Sequence, residues 1–75
     1  MTIGENIRIY RTKAGLTQAE LAEKVNTTQP AISDYEADRV SPNVKQADKL
    51  AQALGVTLND LMTDTISIRE ELDRR

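Results

Sequence analysis

The 75-residue chain has no histidine, no cysteine, no tryptophan and no phenylalanine, and two tyrosines are its only aromatics. Without His and Cys it lacks the usual nucleophile–base pairs and nearly all zinc, haem-thiolate and disulfide chemistry. Nothing in the sequence supplies an apolar pocket that would raise a carboxylate pKa for acid catalysis. The expectation is a protein that is not an enzyme, with no metal site and no cofactor. No apolar run approaches the roughly 18 residues of a membrane span, and residues 1–11 lack the apolar core of a secretory signal. A soluble, cytoplasmic chain with no membrane partner follows. A basic surplus is missing too: Lys+Arg number 10 against Asp+Glu 12, for a net charge of -2. Residues 1–64 hold 7 basic and 9 acidic side chains and residues 65–75 hold 3 of each, so no basic arm hides behind the total. Taken globally, that balance speaks against a nucleic-acid partner, because phosphate binding is driven by clustered Lys and Arg.

What the sequence does contain is helix punctuation. A small core without disulfides needs local signals that agree with one another. Thr or Asn followed three residues later by Glu, Gln or Asp, the spacing of a capping box, occurs at Thr2 and Glu5, Thr17 and Glu20, Asn43 and Gln46, and Thr57 and Asp60. Two of these starts also carry a hydrophobic staple, Leu16 with Leu21 and Val56 with Leu61. Gly15, Asn26 and Gly55 fall between the starts, each able to take the left-handed conformation that ends a helix. Another helix begins at Thr28 as cap, because Pro30 fits only in a first turn.

Between these marks the apolar residues recur with a period of 3.6: Ile3, Ile7, Tyr10 and Ala14; Leu21, Ala22 and Val25; Ile32 and Tyr35; Val44, Ala47, Leu50, Ala51 and Leu54; Leu58, Leu61 and Met62. Five short helices result, an all-α domain over residues 1–64 with a charged tail over 65–75. The alternation at 65–68 is too short to stand alone as a strand.

Residues 17–36 hold the informative pattern. Only Asn26 and Thr27 separate Val25 from the cap at Thr28, which is too few for an antiparallel hairpin and enough for the sharp corner of a helix-turn-helix. Ala22 is the small residue such a crossing needs, and Asn26 supplies the positive φ. The corner leaves Gln29, Pro30, Ser33 and Asp34 on the exposed side of the third helix.

The strings GLTQAELAEKV, ISDYE, a loop ending at Pro42, and KLAQALGVTLNDLM occur in that order. Together they resemble the phage-repressor and Cro type of helix-turn-helix regulator, the XRE family, over roughly residues 3–63. Asn26 and Thr27 depart from the Gly and Val or Ile usual in that family. The resemblance implies a five-helix, lambda-repressor-like DNA-binding domain whose third helix enters the major groove of double-stranded operator DNA, and a homodimer on a two-fold site. It places Gln29, Pro30, Ser33 and Asp34 at the bases. Gln29 would pair with adenine N6 and N7, Pro30 would touch a thymine methyl, and Asp34 would accept from cytosine N4 where its charge is paired or else serve to reject other bases. Gln18, Thr28, Arg39, Asn43 and Arg11 are implied at the DNA backbone, with Ser33 also placed for a flanking contact. Arg11 and Glu36 match an ion pair between the first and third helices.

Leu58 and Met62 are implied at the dimer interface; Ile66 and Ile68, apolar among the charges of the tail, either extend it by pairing with the same segment of a second subunit or belong to a frayed end. Two alternatives stay open: an antitoxin-type protein-binding module whose tail engages a partner, with autoregulatory DNA binding, or a restriction–modification controller protein. For Ser33 and Asp34 the plain alternative is solvated helix surface.

Overall fold

The computed structural model describes residues 2–62, which form five helices: α1 Ile3–Lys13, α2 Gln18–Lys24, α3 Gln29–Glu36, α4 Val44–Leu54 and α5 Leu58–Met62. No strand occurs among the described residues. The tail, including the expected interface residues Ile66 and Ile68, lies outside the described residues.

Each helix starts where a side chain satisfies an orphan N–H. Thr2 and Thr17 form complete capping boxes with Glu5 and Glu20, and Thr57 does so with Asp60. The fourth box is only half made. The Asn43 side chain accepts from Gln46 N at 2.8 Å, but Gln46 Oε1 is buried without a partner and does not reach back.

The first four helices end alike. Gly15, Asn26, Asp38 and Gly55 all have φ between 58° and 73°. In each case the next backbone N–H donates to a carbonyl five residues back: Leu16 to Arg11, Thr27 to Ala22, Arg39 to Asp34 and Val56 to Ala51. This closure satisfies carbonyls that the helix leaves orphaned. Asp38 is the stop not expected from sequence, since an aspartate in the left-handed region is less common than Gly or Asn.

Ile7, Leu21, Ala22, Val25, Ile32, Leu50, Ala51 and Leu61 form the buried core, with Ile3, Tyr10, Leu16, Tyr35, Leu54 and Val56 packed against it. Both staples are therefore part of the core. Three expected apolar positions differ. Ala14 is exposed, Val44 keeps 69% of its surface and Met62 keeps 53%. Ala14 and Val44 lie at helix ends, where the 3.6 period continues but no facing element remains to cover it.

Helix α2 packs on α3, and α1 packs on both α3 and α5. Two polar devices lock α1 in place. Asn6 is 4% exposed, and its Nδ2 donates to the Leu61 carbonyl at 2.9 Å, tying α1 to α5. At the other contact the end of α3 presses on Gly4. A Cβ there would lie 2.3 Å from the Tyr35 carbonyl oxygen and 2.9 Å from that of Glu36. The Asp38 carboxylate closes the joint, accepting from Thr2 Oγ1 at 2.6 Å and from Gly4 N at 3.2 Å. Helix α3 is thus fixed at its C-terminal end, leaving its N-terminal turn to project.

Candidate nucleic-acid interface

The projecting turn is built from the Thr28 cap, whose hydroxyl accepts from Ala31 N at 3.4 Å, with Pro30 in the first turn where no N–H is needed. Gln29 and Pro30 are exposed, and Ser33 and Asp34 are half-buried. With 100° per residue, Gln29, Ser33 and Ala37 make one stripe of α3, and Pro30 and Asp34 make the next.

A chain of hydrogen bonds runs from the interior to this surface. Arg11 donates from Nε to Glu36 Oε2 at 2.6 Å and from Nη2 to Glu36 Oε1 at 3.1 Å, and its Nη1 holds the Leu16 carbonyl at 2.8 Å. Side-chain exposure is 15% for Arg11 and 5% for Glu36. The fork is bidentate and nearly out of water, where such a pair is geometrically exacting. Glu36 Oε1 also accepts from Gln18 Nε2 at 3.1 Å, and Gln18 Oε1 in turn accepts from Gln29 Nε2 at 2.6 Å. Because a carboxylate only accepts, it dictates which end of the Gln18 amide faces it, and Gln18 then dictates the orientation of Gln29. The second N–H and the carbonyl oxygen of Gln29, an exposed residue, have no hydrogen-bond partner among the described residues.

The other expected residues differ in how far their side chains are engaged. Arg39 Nε bonds Asp34 Oδ1 at 2.9 Å, with exposures of 63% and 42%. This is a surface pair of small energetic weight, and it leaves the Asp34 charge paired. Thr28 keeps its hydroxyl proton for donation while its oxygen caps α3. Asn43 Oδ1 caps α4. Arg11 is turned inward, so its charge is cancelled by Glu36 instead of standing free at the surface. Leu58 is half-buried and Met62 exposed at the end of α5.

The sequence puts Arg8 among the basic residues on or near the expected DNA side, without a contact of its own. It lines a recess with Arg11, Gln18, Ser33, Glu36, Ala37 and Arg39. Its position three residues before Arg11 on one helix face was the available signal.

Comparison with known proteins decides the family: the helix-turn-helix profile matches residues 7–61. The chain belongs to the helix-turn-helix family of the phage-repressor and Cro type. It is 35% identical over 71 residues to the immunity repressor protein of Bacillus phage phi105, covering 95% of this chain and 49% of that relative. It is 47% identical over 58 residues to multiprotein-bridging factor 1 of Candida albicans, covering 77% of this chain and 38% of the relative. The helix-turn-helix chain thus spans half or less of the length of these curated relatives.

Among solved structures, the P22 c2 repressor in complex with a synthetic operator superposes with a TM-score of 0.80 at 32% identity, covering 84% of this chain and 96% of that one. A complex of the SinR and SinI proteins gives a TM-score of 0.80 at 27% identity, over 97% of this helix-turn-helix chain and 76% of that chain. No helix among the described residues is long and apolar enough to cross a membrane.

Proposed function

We propose that the chain is a sequence-specific, double-stranded DNA-binding transcriptional repressor that acts in the cytoplasm by occupying an operator, with no chemistry on a substrate. The observation that carries this reading is the oriented Gln29 amide at the projecting end of α3. Its unbonded N–H and carbonyl oxygen match the N7 acceptor and N6 donor of adenine in the major groove, a pairing worth about 1–3 kcal/mol in discrimination. Support comes from the P22 c2 repressor, the structural neighbour bound to an operator, and from the phage immunity repressor relative.

In this reading Pro30 meets a thymine methyl and Asp34, paired by Arg39, accepts from cytosine N4. Ser33 lies at the bases or beside them. Gln18, Thr28, Arg39, Asn43 and Arg11 serve the backbone side, with Arg11 acting chiefly by fixing Glu36. Two copies joined through Leu58 and Met62, with Ile66 and Ile68 of the tail, would present two reading helices about 34 Å apart on a two-fold operator. A second reading, a partner-binding module engaged through the tail, draws on the SinR neighbour, which is seen in complex with SinI.

The test is selection of duplexes from a random-sequence pool, followed by competition binding with single-base changes. A two-fold consensus whose preference at one adenine is lost in Gln29→Ala supports the reading. An unchanged affinity and base preference in Gln29→Ala sinks the recognition assignment.

A further inference from the structure

Of the four residues that end helices in the left-handed region, Gly15, Asn26, Asp38 and Gly55, one carries a charge. Glycine takes that conformation without strain, whereas a Cβ is disfavoured there, so an aspartate in a glycine's place directs attention to its carboxylate. That carboxylate reaches 34 residues back to α1, where Oδ1 accepts from Gly4 N at 3.2 Å and Oδ2 from Thr2 Oγ1 at 2.6 Å. The Gly4 N–H is an orphan donor of the first turn that the Thr2–Glu5 box leaves open. Only a glycine admits the carboxylate so closely, since a Cβ at position 4 would lie 2.7 Å from Asp38 Oδ1.

Asp38 stands at the start of the exposed run 38–41 that leads to the buried Pro42 and on to α4. Arg39 N and Val40 N both donate to the Asp34 carbonyl, at 3.0 and 3.4 Å, and Arg39 Nε bonds the Asp34 side chain. These bonds run to α3. Among the hydrogen bonds of residues 38–42 within the described residues, those of the Asp38 carboxylate are the ones that reach α1. The segment is therefore fixed against two helices, and the second attachment is a single side chain.

We propose that Asp38 is a positioning residue for DNA binding: by clasping the start of α1 it sets where Arg39 meets the DNA backbone. The inference rests on the DNA-binding reading above and deepens it with a residue that touches no DNA itself. Backbone contacts fix register and orientation on a duplex, so their offset from the side chains that meet the bases has to be held. Gln29 is held through Gln18 and Glu36, and Arg39 is held through its neighbour Asp38. Charge alone predicts the opposite effect. Removing a carboxylate from a DNA-binding protein lessens the repulsion of phosphates and strengthens binding, so a loss of affinity on removing Asp38 measures placement.

The experiment uses the full chain and a duplex selected by the wild type. Asp38→Gly keeps the left-handed stop and deletes the clasp, while Asp38→Asn tolerates the same φ and keeps an oxygen for Gly4 N. Both remove the charge, so the difference between them is the clasp. Asp38→Gly is expected to bind about fivefold more weakly, with a slope of log K against log salt shallower by up to about 0.9 per protomer and the preference at the Gln29 base unchanged. Asp38→Asn should bind at least as tightly as the wild type. In an Arg39→Gln background, Asp38→Gly should cost no further affinity, because it acts through that side chain. A loss that came from folding would instead add to that of Arg39→Gln. Additive losses, or an Asp38→Gly affinity equal to or above that of the wild type, overturn the inference.

Hydrogen exchange tests the clasp without DNA. The Arg39 and Val40 amides should exchange about tenfold faster in Asp38→Gly, with Ala31 and Ile32 unchanged. Equal exchange at Arg39 and Val40 in the two proteins overturns the placement of Arg39 by Asp38. Should the wild type select no duplex, the DNA-binding reading fails by itself, and exchange alone decides the clasp.

Discussion

Gln29 Nε2 donates to Gln18 Oε1 at 2.6 Å, and this bond carries the polarity of a buried carboxylate out to the tip of α3. Gln18 is read by its position as a backbone contact, yet it also decides which atoms of Gln29 remain unbonded. Gln18→Ala should therefore relax base discrimination as well as weaken binding, by about 1 kcal/mol or roughly fivefold at the adenine position. Competition binding with base-substituted duplexes measures it. A uniform loss across all sequences would show that Gln18 acts on the backbone alone.

Glu36 anchors that relay, and removing it leaves the Arg11 charge nearly buried without its partner. Glu36→Ala is expected to cost about 3–5 kcal/mol, toward the lower bound because Arg11 retains 15% exposure. The double variant Arg11→Met, Glu36→Leu should recover much of this loss in urea denaturation. Its DNA affinity should stay low, since no carboxylate remains to orient Gln18.

Gly4 and Gly15 make a paired test of crowding against backbone conformation. A Cβ at Gly4 meets the Tyr35 carbonyl oxygen at 2.3 Å, whereas at Gly15 it meets nothing within 4 Å but carries φ of +73°. Gly4→Ala should destabilise by about 2 kcal/mol or more, because the backbone of α3 has to move. Gly15→Ala should cost about 1 kcal/mol, from the left-handed strain alone. Thermal melts of the two variants rank them, and equal losses would mean that α3 shifts freely against α1.

Glu20 gives stability a pH dependence. The Thr17 backbone N–H, at 2.9 Å, and then the Thr17 hydroxyl hold its carboxyl below the ordinary value, with Lys24 adding a smaller pull. A carboxylate depressed in the folded state adds stability above its unfolded pKa and loses it as pH falls through the folded pKa. Urea midpoints should therefore fall between the ordinary carboxylate range and more acid conditions by more in the wild type than in Glu20→Gln. Identical profiles would remove the capping carboxylate from the acid response.

DNA binding should be only weakly sensitive to salt. Arg11 and Arg39 are both paired with acids, and the net charge is -2. A slope of log K against log salt no steeper than about -6 for a dimer is expected, because these two arginines already hold acids.

Much of the fold was legible because helix boundaries depend on neighbours in sequence. Thr17 with Glu20 and Asn26 before Thr28 carry their geometry locally, and the helix-turn-helix corner follows from them. The Arg11–Glu36 pair was legible only through resemblance, since 25 residues separate its partners. The Gln18–Gln29 bond was not read at all, because it depends on the angle between α2 and α3. Asn6 and Gly4 were silent for the same reason: a buried amide reaching Leu61 and a glycine pressed by a carbonyl are facts of packing. Val44 misled because periodicity says which face a residue is on and nothing about whether another element covers that face. Asp38 combined two surprises, a positive φ and a carboxylate that caps a helix 34 residues earlier in the chain.

The same short helix, α1, grips the chain at both ends of its tertiary path: Arg11 holds Glu36 on α3, and Asn6 holds the Leu61 carbonyl on α5. It works as a ruler. Whatever docks against the end of α5 is set at a fixed offset from the projecting turn of α3, since α1 is bonded to both. Any change that tilts α5 by loosening Asn6 would be felt at Gln29 as an error of spacing, even though no atom at the tip of α3 had been altered.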